Sequence, residues 1–178
     1  FPGQMGGDAI TSVLMGDVAP QGRLPVSWYP KDYVKRNMTD YDLASGNGTT
    51  HLYWTGQPLL YEYGFGKSYT VFEFGLQDDE TNEPSENTYR DFTVSGLADG
   101  SEQIAYDVRV VNVGHVAAAV SVLAFLSSNH VDAVSTSKLV DFAMSRVLRP
   151  GEFETVRLVV PKERLALIDG AGDEYIAP

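Results

Sequence analysis

Asp40, Asp42 and Glu62 are the acidic residues best placed to form a catalytic carboxylate pair. Such a pair hydrolyses glycosidic bonds when its two carboxyls are held at a set separation with different pKa values. The spacing of these three residues does not distinguish them from solvated loop acids. The three histidines are scattered and no Gly-x-Ser-x-Gly turn is present, so a nucleophilic triad is not indicated either. We therefore predict no catalytic residue in this sequence.

Only the last residues of a phosphate-binding loop motif are present in this sequence. Gly66-Lys67-Ser68 matches the end of that motif, but the leading glycine would fall at Tyr61. The motif also needs a helix after the loop, whereas the alternating run that follows, from Ser68 to Phe74, predicts a strand. Cysteine is absent, which excludes a thiolate nucleophile and a Cys-based zinc site. The sequence therefore predicts neither a metal site nor a cofactor.

The charge balance excludes two classes of partner. The 178 residues include 13 Lys and Arg against 24 Asp and Glu, for a net charge of -11. Nucleic acids and anionic membranes attract clustered basic side chains, so neither is predicted as a partner. No run approaches the roughly 18 uninterrupted apolar residues of a membrane-spanning helix. Because the chain opens at Phe1 directly in a Pro-Gly loop, we expect it to be a segment of a longer protein.

The N-terminal third has the pattern of the end of an α/β layer. Ile10, Val13 and Leu14 are at helical spacing, and Gly16 stands where a C-terminal glycine ends a helix. The run Arg23–Pro30 contains two prolines, which confine it to an edge strand or an extended crossing. Residues 31–50 are polar without periodicity and predict a long loop. Residues 51–69 are rich in aromatic side chains, for which both packing between layers and sugar stacking are open interpretations.

The second half predicts a β-sandwich. Strand patterns recur over residues 104–113, 120–127, 139–148 and 153–160, after a weaker one around Phe92. Residues 162–167 have the pattern of one helical turn. The predicted organisation is an α/β remnant over residues 1–76, an acidic linker over residues 77–90 and a sandwich over residues 91–178. The fold class is thus mainly β with an α/β remnant.

Two ordered motifs resemble glycoside hydrolase family 3. The run "FPGQMGGDAITSVLMGDVAPQGRLPVSWYP" resembles that family's Pro-Gly-x-x-Gly-Gly, Leu-x-Gly-Asp and Pro-x-Gly-Arg-Leu-Pro-Val series. The run "LLYEYGFGKSYTVFEF" resembles its second signature and departs mainly at Lys67, where an apolar residue is more usual. The runs "DYVKRNMTDYDL" and "YWTGQPLLYEYG" are similar to the β-xylosidase and arabinofuranosidase branch. The run "LVDFAMSRVLRPGEFETVRLVV" resembles the fibronectin type III-like (immunoglobulin-like) domain that closes these enzymes.

The resemblance implies the C-terminal part of a retaining exo-glycosidase that is β-xylosidase-like and cleaves plant-type oligosaccharides. The family's nucleophile is an aspartate of an N-terminal barrel, so this segment is expected to be accessory and inactive alone. Its expected partners are the rest of the parent chain and, through that chain, the oligosaccharide substrate. The last strand of the sandwich is expected to be missing. The substrate-binding candidates are Met5, His51, Tyr53 and Trp54.

Two N-glycosylation sequons lie in one polar loop, at Asn37 and Asn47. Together with the resemblance they predict a secreted glycoprotein.

The alternative function is a non-catalytic module whose β-sandwich binds carbohydrate or another protein. Such a glycan module should present an exposed row of Trp and Tyr. Both tryptophans, Trp28 and Trp54, precede the predicted sandwich, which favours the enzyme-piece interpretation.

Overall fold

Strands dominate the part of the chain that the structure describes. The computed structural model describes residues 3–76, 103–134 and 136–176. Its elements, in chain order, are α1 (Gly6–Met15), a 3-10 helix (Lys31–Lys35), α2 (Thr50–Tyr53), β1 (Phe72–Leu76), β2 (Gln103–Asn112), β3 (Ser121–Leu126), β4 (Lys138–Met144), β5 (Phe153–Pro161), a second 3-10 helix (Lys162–Leu165), β6 (Leu167–Ile168) and β7 (Glu174–Tyr175). The predicted linker over residues 77–90 and the weak strand around Phe92 lie outside the described residues.

The first sheet has the antiparallel order β1-β2-β5. Alternation in β2 and β5 places one set of side chains on the inner face, where Val108 lies opposite Val156 and Tyr106 lies opposite Leu158. The outward set contains the charged side chains, and Asp107 pairs with Arg157 across the strands with an O···N distance of 3.5 Å. The period of two therefore separates a buried face from a solvated one, as the sequence predicts.

The second sheet is the antiparallel pair β3-β4, whose register shifts at Ala124 and Phe125. Side chains of both sheets meet in one buried cluster: Phe72, Val110, Val156 and Leu158 from the first sheet, Val122 from the second, and Ala118, Val120 and Leu148 beside them. A polar contact also joins the sheets, because the backbone N–H of Val159 donates to the Asp141 carboxylate (2.7 Å). The two sheets thus form the faces of a sandwich with one core.

The predicted strands over residues 104–113, 120–127 and 153–160 match β2, β3 and β5 closely, while β4 ends at Met144 rather than Leu148. Leu148 instead forms an isolated bridge with Ala118. The strand pattern that begins at Ser68 becomes ladder-paired only from Phe72. The described fold is mainly β with a helical N-terminal part, which confirms the predicted fold class. The domain boundaries remain a prediction.

The loop predicted over residues 31–50 is more ordered than its polarity indicates. It starts in a 3-10 helix and is then held by Arg36, whose guanidinium donates to the carbonyls of Ser45 (3.0 Å) and Asp42 (2.6 Å). Asp42 and Asp40 also accept backbone N–H bonds two residues further on. Polar side chains that bond the local backbone replace the apolar packing that a helix or strand would need.

Helix α1 begins and ends where the glycines predict. Gly16 has a φ of 83°, and its N–H donates to the carbonyl of Val13 (3.1 Å), while Asp17 donates to Ser12 (2.9 Å). This left-handed C-terminal residue satisfies carbonyls that the helix leaves unpaired.

Asn112 is a fully buried polar residue at the end of β2. Its Oδ1 accepts from the Thr70 hydroxyl (2.6 Å) and the Gly114 N–H (3.1 Å), and its Nδ2 donates to the carbonyls of Val116 and Leu148 (both 2.8 Å). All the hydrogen-bonding positions of the amide are therefore used. Gly114 is required beside it, because a Cβ there would lie 2.2 Å from the Thr70 hydroxyl oxygen.

A short C-terminal hairpin, β6-β7, is attached to the β3–β4 connection. The Tyr175 hydroxyl donates to the Asp132 carboxylate and lies 3.1 Å from Nδ1 of His130. The bond to Asp132 raises the pKa of Tyr175 to about 12. The same connection reaches α2, since the N–H of Thr136 donates to the carbonyl of Leu52 (3.1 Å).

Within the described residues, no helix has the length and apolar character needed to cross a bilayer.

We predict that Asn112→Ala lowers the free energy of unfolding by roughly 3 kcal/mol, because it leaves buried donors and acceptors without partners and opens a small cavity. Urea unfolding of the 178-residue chain measures the change. Asn129→Ala, at an exposed turn position, is the matched control and should change stability by less than about 0.5 kcal/mol. Equal midpoints for the two variants would contradict the role given to Asn112.

Candidate functional site

Two extended segments, residues 23–28 and 60–66, run antiparallel before the sandwich begins. The N–H of Leu24 donates to Phe65 and the N–H of Gly64 to Leu24, and Trp28 exchanges bonds with Tyr61 and Leu60, each at 2.8 Å. Pro25 of the first segment lacks an N–H, which keeps the pairing to isolated bonds. The predicted extended crossing is thus paired with the aromatic segment.

This pairing forms an open groove, called the aromatic groove below, with a cavity volume of about 450 Å³. Its lining residues are Gly22, Arg23, Leu24, Trp28, Tyr61, Phe65, Gly66 and Lys67. Trp28 is 52% exposed, Tyr61 41% and Phe65 38%. Trp28 meets Tyr61 edge to face at 5.8 Å, and Tyr61 is tilted by 44° to Phe65. The aromatic groove therefore presents large apolar rings that no second ring covers face to face.

At the base of the groove the backbone at Gly66 lies close to the backbone at Gly22. A Cβ at Gly66 would lie 2.8 Å from the carbonyl oxygen of Gly22 and 2.7 Å from Cδ of Arg23. The guanidinium of Arg23 donates to the carbonyl of Ser121 in β3 (3.2 Å). Only glycine fits at position 66, and Arg23 attaches this region to the sandwich.

Trp54 belongs to a second group of rings. Tyr29 and Tyr33 stack at 3.9 Å, and Trp54 meets both edge on, at 5.1 and 5.6 Å. The indole N–H of Trp54 donates to the carbonyl of Gln57 (2.9 Å). The ring thus has neighbours on its edges and a partner for its N–H, as expected for a packed side chain.

His51 belongs to a third group. Its ring stacks on Tyr63 at 3.9 Å with an interplanar angle of 10°, and Tyr63 meets Phe125 of β3 edge on at 6.1 Å. Burial lowers the pKa of His51 from its ordinary value of 6.5. The hydroxyl of Thr136 donates to the His51 carbonyl, so the backbone is held from the sandwich side. The neutral ring is therefore part of the contact between the N-terminal part and the sandwich.

The four predicted binding residues are not all together. His51 and Tyr53 lie in α2 and Trp54 follows it, whereas Met5 lies 64% exposed at the start of α1. None of the ring contacts given for the described residues includes Met5. The side chains of Trp28, Tyr61 and Phe65, which line the aromatic groove, were not among the predicted candidates. The sequence signal that could have indicated them was Trp28, which lies between two prolines in an extended run.

Two of the three acids singled out in the sequence, Asp40 and Asp42, have structural partners in the loop. A hydrogen bond from the Ser45 side chain, followed by one from the Asp42 backbone, lowers the pKa of Asp40. Arg36 lies 3.6 Å from the same carboxylate. No group of three potential metal ligands occurs within residues 3–76, 103–134 and 136–176. The observed roles of Asp40 and Asp42 are those of loop-ordering residues.

Residues 1–69 match the family model described as "Glycosyl hydrolase family 3 C-terminal domain". The chain is 30% identical over 184 aligned residues to the "Probable exo-1,4-beta-xylosidase bxlB" of Aspergillus flavus, which covers 100% of this chain and 24% of that protein. It is 46% identical over 80 residues to "Beta-D-xylosidase 1" of Arabidopsis thaliana, covering 43% of this chain and 10% of the relative. The solved structure of a family 3 exo-β-xylosidase (XlnD) has a TM-score of 0.77 at 24% identity and covers 97% of this chain and 24% of that one.

The chain has a mainly β fold and matches only the C-terminal part of these relatives, spanning about a quarter of the length of the Aspergillus flavus protein. The chain belongs to glycosyl hydrolase family 3 and corresponds to the C-terminal part of its members. The family resemblance predicted from the two signatures is confirmed.

We predict that the stack of His51 on Tyr63 makes stability depend on pH. The folded state disfavours protonated His51, so the unfolded state binds more protons between the lowered folded pKa and about 6.5. The contribution is present above pH 6.5 and is lost as the pH falls through the folded pKa. Thermal unfolding between pH 4.5 and 8 measures it. His51→Phe keeps a stacked ring and should flatten this part of the profile, and an unchanged slope would contradict the assignment.

Proposed function

We propose that this chain is the C-terminal accessory part of a retaining exo-glycosidase of the β-xylosidase type, acting on plant-type oligosaccharides. The observation that supports the proposal best is the alignment of the whole chain with a probable exo-1,4-β-xylosidase at 30% identity. In a retaining enzyme two carboxyls about 5–5.5 Å apart form and then hydrolyse a covalent glycosyl intermediate. We place this chemistry in the remainder of the longer protein, where the family resemblance puts the nucleophile.

The proposed organisation keeps the predicted boundaries. Residues 1–76 would complete an α/β domain, residues 77–90 would link it, and residues 91–178 would form a fibronectin type III-like sandwich. The strand register of β2 and β5 supports a sandwich in this region, and β1, which lies within residues 1–76, adds a strand to its first sheet. The contacts from Asn112 to Thr70 and from Arg23 to Ser121 support a fixed attachment between its parts.

The expected intramolecular partner is the remainder of the enzyme, including an N-terminal barrel. Helix α1 supports this, because Ile10, Leu14 and Met15 are 54%, 76% and 75% exposed. A helix of this length is stable mainly through packing of its apolar face. We infer that this face packs against the preceding domain of the longer protein.

The substrate-facing role is assigned to α2 and the residue after it. His51 and Tyr53 lie within this short helix, and Trp54 follows it. Apolar ring faces with polar tips suit sugar rings. Met5 is retained as a candidate because it precedes α1 in the glycine-rich approach.

Secretion and glycosylation are proposed for the same protein. Asn37 and Asn47 are both exposed, and the Oδ1 of Asn37 accepts from the backbone N–H (3.0 Å) and hydroxyl (2.9 Å) of Thr39. Treatment of the native protein with an N-glycanase should lower its mass and convert the occupied asparagines to aspartate. An unchanged mass would show that neither sequon is occupied.

Activity of the longer native protein tests the proposed function. We expect it to hydrolyse p-nitrophenyl β-D-xyloside and the 178-residue chain alone to be inactive. A native protein that ends near this length, or a longer one that cleaves no glycoside, would overturn the proposal.

In that longer protein Tyr53→Ala should lower kcat/KM roughly three- to tenfold, the loss expected for one aromatic contact. Tyr41→Ala, at a position that is 88% exposed in the loop before α2, is the matched control. Unchanged kinetics for Tyr53→Ala would remove Tyr53 from the substrate wall while leaving the glycosidase assignment in place.

A further inference from the structure

Thr136, in the connection between β3 and β4, makes two hydrogen bonds to the backbone of α2. Its hydroxyl donates to the carbonyl of His51, and its own N–H donates to the carbonyl of Leu52 at 3.1 Å. The last four carbonyls of any helix have no partner within that helix. Because α2 is only four residues long, Thr136 supplies the missing partner of two of its carbonyls from a distant part of the chain.

The conformation of α2 depends on such outside contacts. A single turn is unstable in isolation, because starting a helix fixes several residues for one hydrogen bond. The first residue of α2, Thr50, has a φ of 57°, and among the described residues it is the one non-glycine residue with a positive φ. A β-branched residue in the left-handed region is strained and persists only where the surrounding structure holds it. The contacts around α2 therefore maintain a turn that its own sequence does not favour.

The polar loop before α2 holds the end of this turn. The N–H of Thr55 donates to the carbonyl of Asn47 at 2.9 Å, and a Cβ at Gly48 would lie 1.9 Å from the carbonyl oxygen of Tyr53. These contacts fix α2 against the loop that leads into it. Thr136 fixes the same turn against the sandwich, so α2 is held from both parts of the chain.

Tyr53 depends on this backbone more than its neighbours do. His51 is stacked on Tyr63 at 3.9 Å. Trp54 meets the ring of Tyr29 edge on at 5.1 Å. Within residues 3–76, 103–134 and 136–176, the ring of Tyr53 stacks on no other ring and its hydroxyl has no hydrogen-bond partner. The position of Tyr53 is therefore set by the backbone of α2, which Thr136 holds.

We propose that Thr136 is a positioning residue through which the sandwich sets the place of the substrate-facing residues of α2. The proposal rests on the proposed function, which assigns His51, Tyr53 and Trp54 to the substrate side. It gives the sandwich a part in substrate recognition through a bond to the backbone. A purely structural role for Thr136 would change stability without changing KM.

Two substitutions in the longer native protein separate the hydroxyl from the rest of the side chain. Thr136→Val keeps the branched shape and the N–H bond to Leu52 but removes the donor to His51, whereas Thr136→Ser keeps that donor. Thr155→Val is the matched control. It makes the same chemical change in β5, where the Thr155 hydroxyl has no hydrogen bond to any residue that the structure describes.

We expect Thr136→Val to raise KM for p-nitrophenyl β-D-xyloside about three- to fivefold, the loss that one hydrogen bond supplies. The value of kcat should stay within about twofold, because side chains that contact substrate and transition state alike contribute uniform binding. Thr136→Ser and Thr155→Val should both keep KM within about twofold of the unaltered protein.

Hydrogen exchange measured by mass spectrometry follows the anchoring of α2 independently of activity. In Thr136→Val the amides of residues 50–55 should exchange about threefold faster or more, because the local opening of α2 no longer breaks the hydroxyl bond. The amides of β2 and β5 should keep their rates. A general loss of stability would instead speed exchange in all three segments.

Three results would refute the positioning role: an unchanged KM in an active Thr136→Val enzyme, a rise in KM that Thr136→Ser shares, or faster exchange in β2 and β5 together with α2. In each case the unaltered protein still cleaves the xyloside, so the proposed function stands. A longer native protein that cleaves no glycoside contradicts the proposed function itself, and the positioning role falls with it.

Discussion

The buried amide of Asn112 is the interaction on which the arrangement of the two parts depends. A buried polar group is tolerated only when its partners are present, and the partners here come from separate places along the chain. Thr70 belongs to the segment before β1, Val116 to the turn after β2, and Leu148 to the segment before β5. One side chain thus sets how the end of the N-terminal part meets both sheets. Gly114 permits the approach because it has no Cβ to displace Thr70.

The aromatic clusters depend on that placement. The pairing of residues 23–28 with 60–66 ends only a few residues before Thr70, and the stacked His51 and Tyr63 reach Phe125 of β3. Arg23 adds a bond to the carbonyl of Ser121. The aromatic rings therefore have two different structural roles. Some join the N-terminal part to the sandwich, and others remain exposed in the aromatic groove.

Period-two alternation predicted β2, β3 and β5 well, because burial of one face of a sheet fixes which side chains point inward. The helix at residues 6–15 was predictable from Gly16 and the apolar spacing. The ordered conformation of residues 31–50 was not predictable from the sequence, because Arg36 holds it by donating to backbone carbonyls, and no sequence pattern reveals such bonds. The groove was missed for a similar reason. Its walls come from two segments more than thirty residues apart, and only their pairing brings Trp28 beside Tyr61.

The connection between β3 and β4 has contacts on both of its sides. Thr136 bonds the carbonyls of His51 and Leu52, and His130 and Asp132 contact Tyr175 in the C-terminal hairpin. Its two attachments therefore constrain its length, unlike that of an ordinary exposed turn. An insertion there would have to keep both attachment points in register, whereas the turn at Gly151 is free of such long-range contacts with α2 or the hairpin in the described structure. Sequence drift in this family should be recorded mainly in the second kind of connection.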